Sequence, residues 1–162
     1  MLSAYYKFSS ARVILVKDSK VLLELRDSCE YASNKWMVPG GHTEHGETAI
    51  DSAVREMREE VGIVLNKKDL RFVSVVHWWN DKHQKSGITF FWSAHKWEGN
   101  VINLEKSKCT ELRWFTKEEI DQIDIEITSR KTLDAFFNGK FGKYIQTDWP
   151  EAEGDDQEYD CE

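Results

Sequence analysis

The chain has 162 residues, 40% apolar and 31% charged, which suits one soluble domain with a substantial core. No apolar run approaches the ~20 residues needed to span a bilayer, and the opening stretch MLSAYYKFSSARVILVKD lacks the basic, apolar and cleavage-site regions of a secretory signal. The net charge of -7 is concentrated: residues 147–162 hold eight of the 29 acids and no Lys or Arg, leaving 21 acids against 22 bases in residues 1–146. That division predicts a domain over 1–146 and a disordered, solvating acidic tail over 147–162. The nearly neutral body has no basic stripe, which weighs against a nucleic-acid polymer as partner. Cys29, Cys109 and Cys161 are widely spaced and odd in number, so they suggest neither disulfide framework nor zinc site but reduced thiols in a cytoplasm.

In chain order, Arg12–Val16 and Val21–Leu25 flank Lys17-Asp18-Ser19-Lys20 and predict a hairpin of two buried strands. A polar loop over 26–35 leads to Trp36-Met37-Val38 and an expected turn at Pro39-Gly40-Gly41. From Glu47 to Val61, the apolar residues Ile50, Val54, Met57 and Val61 recur at helical spacing, with Glu56 and Glu60 on a flank and Gly62 as the cap. Strands follow at Arg71–Trp79, Gly87–Trp97 and Leu112–Phe115. Thr116-Lys117-Glu118-Glu119 is a capping box opening a short helix through Ile120 and Ile123. A last helix, about Thr128–Asn138, buries Leu133 and Phe136 or Phe137 and stops at Gly139. The order predicts an α/β fold, an α/β/α sandwich around one mixed sheet.

The chemistry sits in the first helix. Glu56, Glu59 and Glu60 stand at i, i+3 and i+4, so they converge on one small patch. Like charges this close repel and raise each other's pKa, an arrangement from which a fold gains little. A hard divalent cation relieves the repulsion, and Mg2+ is the usual choice where a substrate brings phosphates.

Written out, the segment is G-x5-E-x7-R-E-[apolar]-x-E-E-x-G-[apolar], filled by Gly41, Glu47, Arg55, Glu56, Met57, Glu59, Glu60, Gly62 and Ile63. It resembles the signature of the Nudix hydrolases. Arg26, Asn34-Lys35 before Trp36, Pro39-Gly40-Gly41 and Trp97-Glu98-Gly99 extend the likeness to the MutT branch, over roughly residues 8–140. The resemblance implies a loop-helix-loop whose Glu56, Glu59 and Glu60 bind Mg2+ or Mn2+, with the Gly40 peptide oxygen as a further ligand. It implies water attack on a nucleoside diphosphate linked to a group X, giving a nucleoside monophosphate and pyrophosphate from a triphosphate. Glu56 or a loop acid then assists deprotonation of the water. Glu47 and Arg55 become a salt bridge bracing loop and helix, and Arg26 a phosphate contact suited by its planar fork. Gly40, Gly41 and Trp36 fall at the substrate. Trp36, Trp78 or Trp79 offers an aromatic face to a base, and His42 stands beside the Gly-Gly pair.

One position departs from the pattern: the MutT branch continues W-E-G-E, and here the last residue is Asn100, an amide that cannot act as base. An outer acid must then come from Glu105, Glu111 or Glu44. The ADP-ribose branch shows a proline about fifteen residues past the box, where this chain reads Val76-His77-Trp78-Trp79, and the tyrosine of the dinucleoside polyphosphate branch is missing there too. Trp36-x-x-Pro39-Gly40-Gly41 resembles enzymes acting on dNTPs, including oxidised ones. The leading expectation is a nucleoside triphosphate pyrophosphohydrolase, a cytoplasmic monomer or homodimer. Hydrolysis of another conjugate (dinucleoside polyphosphate, nucleotide sugar or ADP-ribose) and a non-catalytic nucleotide sensor are the alternatives.

Overall fold

The computed structural model describes residues 6–26, 32, 34–81 and 85–148. The expected hairpin is present: β1 (Tyr6–Lys17) and β2 (Lys20–Arg26) join through Asp18 and Ser19, at φ 51° and 60°. Two consecutive left-handed residues match the twist of the flanking strands, and aspartate tolerates that region better than most side chains. β3 (Trp36–Met37), β4 (Gly40–His42), β5 (Arg71–Asn80), β6 (Lys85–Ala94), β7 (Cys109–Phe115) and β8 (Lys143–Asp148) complete an eight-stranded sheet. Its path is β3-β2-β1-β6-β5-β8, with β4 also pairing β1 and β7 also pairing β2. β1 with β6 and β5 with β8 are parallel, the others antiparallel, so the sheet is mixed.

Among the described residues, three α-helices pack with the sheet: α1 (Ala49–Glu60), α2 (Lys117–Ile120) and α3 (Ile127–Phe137). The capping box of α2 forms as expected, Thr116 Oγ1 accepting from Glu119 N and the Glu119 carboxylate from Thr116 N. One core cluster joins Ala53, Met57 and Val61 to Ala11, Val13, Leu15 and Trp92; the other joins Ile120 and Leu133 to Ile14, Leu23, Phe91 and Phe115. Residues alternating along β1 thus feed two apolar layers, the α/β/α arrangement read from the sequence.

Several boundaries move. Gly40 and Gly41 are not a turn but part of β4, paired with Arg12 and Ala11. β8 was not anticipated, and it carries Thr147 and Asp148 into the sheet instead of opening the tail. The rest of the expected tail, 149–162, lies outside the described residues.

What positions the site is a divergence. β1 and β2 pair only at Val16↔Val21 and Lys17↔Lys20. Beyond that point β1 takes β4 as neighbour, while β2 runs with β3 and β7. Arg12 and Glu24 face each other across the opening, and α1 packs over β1 and β4.

Candidate active site

Helix α1 begins where Thr48 caps it, its hydroxyl accepting from Asp51 N, and ends before Gly62 at φ 75°. Its buried face differs from the predicted stripe. Ala53, Met57 and Val61 are fully buried, Ile50 and Val54 only half so, and Glu56 and Glu60 are each 8% exposed. The cause is β4: with no side chains at Gly40 and Gly41, the carboxylates settle against its backbone. Gly40 N donates to Glu60 Oε2 at 3.0 Å. A Cβ on Gly41 would lie 2.6–2.9 Å from the three carboxylate atoms of Glu56. The glycines therefore make room for the acids.

Arg55 organises the rest. Nε and Nη2 donate to the two oxygens of Glu47 at 3.0 and 3.1 Å, the fork-to-fork brace expected of that pair. Nη1 reaches Glu56 Oε1 at 2.8 Å and Glu59 Oε2 at 3.0 Å, and Nη2 also reaches the His42 carbonyl at 2.9 Å. The hydrogen bond from Arg55 holds the Glu47 carboxyl below the usual range. Burial does the opposite to Glu56, and to Glu60 most of all, with Glu24, Glu56 and Glu105 adding repulsion on Glu60.

Glu24 was missed in the sequence. It is 2% exposed on β2, and burial raises its pKa to about 7 despite Arg12 and Arg26. The signal was available: an acid interrupts the apolar run Val21-Leu22-Leu23-Glu24-Leu25. Arg12, also buried and midway along β1, donates from Nη1 to the Val38 carbonyl at 2.6 Å and lies 3.9 Å from Glu24 Oε1.

Of the three outer acids, Glu105 bears on the cluster, adding to the repulsion felt by Glu24, Glu56 and Glu60 while pairing with Lys108 at 3.0 Å. Glu44 is exposed, 3.9 Å from Arg55, and Glu111 is exposed on β7 opposite Leu25. Asn100 is exposed, its carbonyl beside Gly62 at the far end of α1 from Glu47.

Arg26 ends β2 close enough to lower the pKa of both Glu24 and His42. His42 keeps an open surface, yet the protein packed about it, then Arg12, Arg26 and Lys108, push its pKa below the ordinary value.

Trp36 is a correction. It is 9% exposed and packs edge-to-face on Phe115 at 4.7 Å, because β3 pairs Trp36 with Leu25 and bridges it to Ile125 in the core. The aromatic surface near the cleft is instead Phe8, stacked with Trp78 at 6.1 Å and next to His42 at 5.9 Å. Trp79 leans on His77.

Among the described residues, no three acid, histidine or cysteine side chains converge closely enough to hold an ion as they stand. Glu56 and Glu59 turn to Arg55, and Glu60 to the Gly40 amide. The donor set nevertheless fits a hard divalent cation. It consists of carboxylate oxygens, two of them from buried and mutually repelling acids.

This burial predicts a pH effect in metal-free buffer. Unfolded carboxyls lose their protons near 4.5, whereas folded Glu24 holds one to about 7. Between those values the folded state binds more protons, so stability falls as pH rises and levels off near 7. Glu24 alone is worth about 3 kcal/mol, or roughly 5–10 °C in Tm. Glu56 and Glu60 act in the same sense, while His42, with its lowered pKa, opposes as one group. Thermal melts from pH 5 to 8 in EDTA should show this fall, and Mg2+ should restore Tm most at the alkaline end. A melting temperature that climbs across the window would contradict the buried cluster.

A family model described as NUDIX domain matches residues 7–136. The 8-oxo-dGTP diphosphatase of Escherichia coli (strain K12) is 34% identical over 94 residues, covering 57% of this chain and 69% of that protein. An uncharacterized Nudix hydrolase of Bacillus subtilis (strain 168), YvcI, is 29% identical over 128 residues, 78% of this chain and 77% of its own. The crystal structure of a MutT NUDIX hydrolase from Burkholderia pseudomallei shares the fold at TM-score 0.72 and 23% identity, over 79% of this chain and 96% of that one. The matched region contains the glutamate helix, its arginine brace and the glycine strand beneath it. The chain therefore belongs to the Nudix hydrolases, enzymes that act on phosphoanhydride bonds of nucleotide-derived substrates.

Proposed function

We propose that this chain is a Mg2+-dependent nucleoside triphosphate pyrophosphohydrolase, with Mn2+ able to replace Mg2+ and oxidised dNTPs among its substrates. The observation that carries the reading is one juxtaposition. The carboxylates of Glu56 and Glu60 lie against the Gly40-Gly41 strand, and Arg55 holds Glu59 beside Glu56. Likeness to an 8-oxo-dGTP diphosphatase supports the substrate class.

Nudix hydrolases use divalent metal ions. When bound, such a cation lowers the pKa of water and offsets charge on phosphoryl oxygens. Glu56, Glu59 and Glu60 would hold it, with the Gly40 carbonyl. Arg55 and Glu47 keep loop and helix in register so that these groups stay together. Arg26 takes the phosphate charge. Glu56 receives the proton of the attacking water, the water oxygen bonds to phosphorus, and the bridging P–O bond breaks to release pyrophosphate and the nucleoside monophosphate. Phe8 and Trp78 offer the base an aromatic face in place of Trp36. The enzyme acts in the cytoplasm, as a monomer or homodimer, on free nucleotides. Its catalytic domain is one unit, and the acidic tail keeps it soluble.

The test is a Mg2+-dependent phosphate-release screen, with pyrophosphatase added, over canonical and oxidised dNTPs, ADP-ribose, dinucleoside polyphosphates and nucleotide sugars. Strong turnover of one triphosphate supports the proposal. Preference for ADP-ribose or a dinucleotide keeps the chemistry and overturns the substrate. Silence with nucleotide still bound makes the domain a sensor.

A further inference from the structure

The divergence of β1 and β2 leaves a buried acid that nothing in the fold explains. Glu24 lies three residues past Val21, the last β2 residue paired with β1, on the strand that leaves the β1 edge. Its register neighbours are Met37 and Leu112, so an apolar side chain would pack there without difficulty. Instead the strand buries a carboxylate to 2% exposure. Among the described residues its Oε1 is shielded from solvent and has no hydrogen-bond partner. The Arg12 Nη1 is 3.9 Å away and donates to the Val38 carbonyl instead. A buried ion pair at that separation stabilises no more than packed apolar residues would, and an unsatisfied buried oxygen costs free energy.

Glu24 does have neighbours that share its chemistry. Arg12 pairs in register with Gly40, and the Gly40 amide holds Glu60 at 3.0 Å. Glu56 and Glu105 add repulsion on Glu24, and Glu24, Glu56 and Glu105 add repulsion on Glu60. The sheet therefore presents a carboxylate oxygen toward the same space into which the helix presents its own. It does so in a chain that has Asn100 where the W-E-G-E pattern has an acid.

We infer that Glu24 is a ligand of the divalent cation, supplied by β2 on the sheet side of the cleft opposite the carboxylates of α1. The inference rests on the metal-dependent reading above and adds a residue outside the glutamate box. It accounts for an acid inside an apolar strand and for the open lone pairs of its Oε1. It also accounts for the divergence being lined by a carboxylate rather than closed by a leucine. Arg12 then offsets part of the cost of burying Glu24, and the cation supplies the rest.

The experiment is Mn2+ binding to the full chain without nucleotide, followed by the electron paramagnetic resonance of free Mn2+, for wild type, Glu24→Gln and Glu24→Asp. Both variants should bind Mn2+ at least about ten-fold more weakly, and Mn2+ should raise their melting temperatures less than that of the wild type. Glu24→Asp keeps the negative charge facing Arg12 and only draws the oxygens back. It therefore decides the matter even if Glu24→Gln does not fold. Wild-type Mn2+ affinity in the folded variants would make Glu24 a structural partner of Arg12 and overturn the inference alone. Absence of Mn2+ binding by the wild type would overturn the inference together with the metal-dependent reading.

Discussion

Glu56→Gln should leave the fold and the affinity for nucleotide unchanged while lowering Mg2+-dependent turnover by on the order of 10²–10⁴-fold, the usual contribution of a positioned proton acceptor. The substitution is nearly isosteric, and the amide oxygen can still accept from Arg55 Nη1, which now sits 2.8 Å from Glu56 Oε1. Gly41 still leaves space for the side chain, because the amide is no larger than the carboxylate. What disappears is the charge: one ligand oxygen weakens and the water loses its acceptor. Stability should move the other way. Burial and the neighbouring Glu59 and Glu105 raise the pKa of Glu56, so removing its charge relieves repulsion and should raise the metal-free melting temperature slightly. A loss of turnover coupled to a gain in stability is hard to obtain from a residue that merely supports the fold. Activity within about three-fold of wild type would remove Glu56 from the proton-transfer step.

The contrast between Glu56 and Glu24 shows what could be read from the chain alone. Glu56, Glu59 and Glu60 fall at fixed spacing in one helix, so local geometry brings them together whatever the rest of the chain does. The same holds for the Glu47–Arg55 brace, which spans eight residues of loop and helix. Glu24 joins the cluster only because two strands stop pairing after Val16↔Val21, and strand divergence leaves no local pattern. Trp36 failed for a related reason. Its position beside Pro39-Gly40-Gly41 suggested the cleft, but the strand period of two turns its ring to the opposite core with Phe115, while its neighbour Met37 pairs with Glu24. β8 was overlooked because Lys143–Asp148 is mostly polar and exposed, being paired on β5 alone, so it lacks the apolar alternation of the inner strands. Elements were legible where burial was two-sided or spacing local, and obscure where tertiary pairing decided the face.

Adjacent glycines should separate folding from catalysis. Gly40→Ala places a Cβ 2.2 Å from the Ala11 carbonyl oxygen and 2.7 Å from the Arg12 Cα, at a φ of +136° that alanine rarely adopts. Both obstacles are backbone of β1, the central strand that pairs with β2, β4 and β6, and neither can swing aside. The cost should exceed about 4 kcal/mol and lower Tm by 10 °C or more, with little soluble protein recovered. Gly41→Ala meets something different. Its backbone is ordinary, and the three atoms nearest the new methyl, at 2.6–2.9 Å, are the carboxylate end of Glu56. That side chain can rotate, so the fold should lose about 1 kcal/mol or less, while the carboxylate leaves its place over β4. Turnover should then fall nearly as far as in Glu56→Gln, with Mn2+ affinity falling alongside. Thermal melts and the phosphate-release assay on the two variants read both effects. Full activity in Gly41→Ala would mean that Glu56 acts from a position other than the one seen against Gly41. A stable, active Gly40→Ala would mean that β4 does not press on β1 as closely as its register with Arg12 and Ala11 requires.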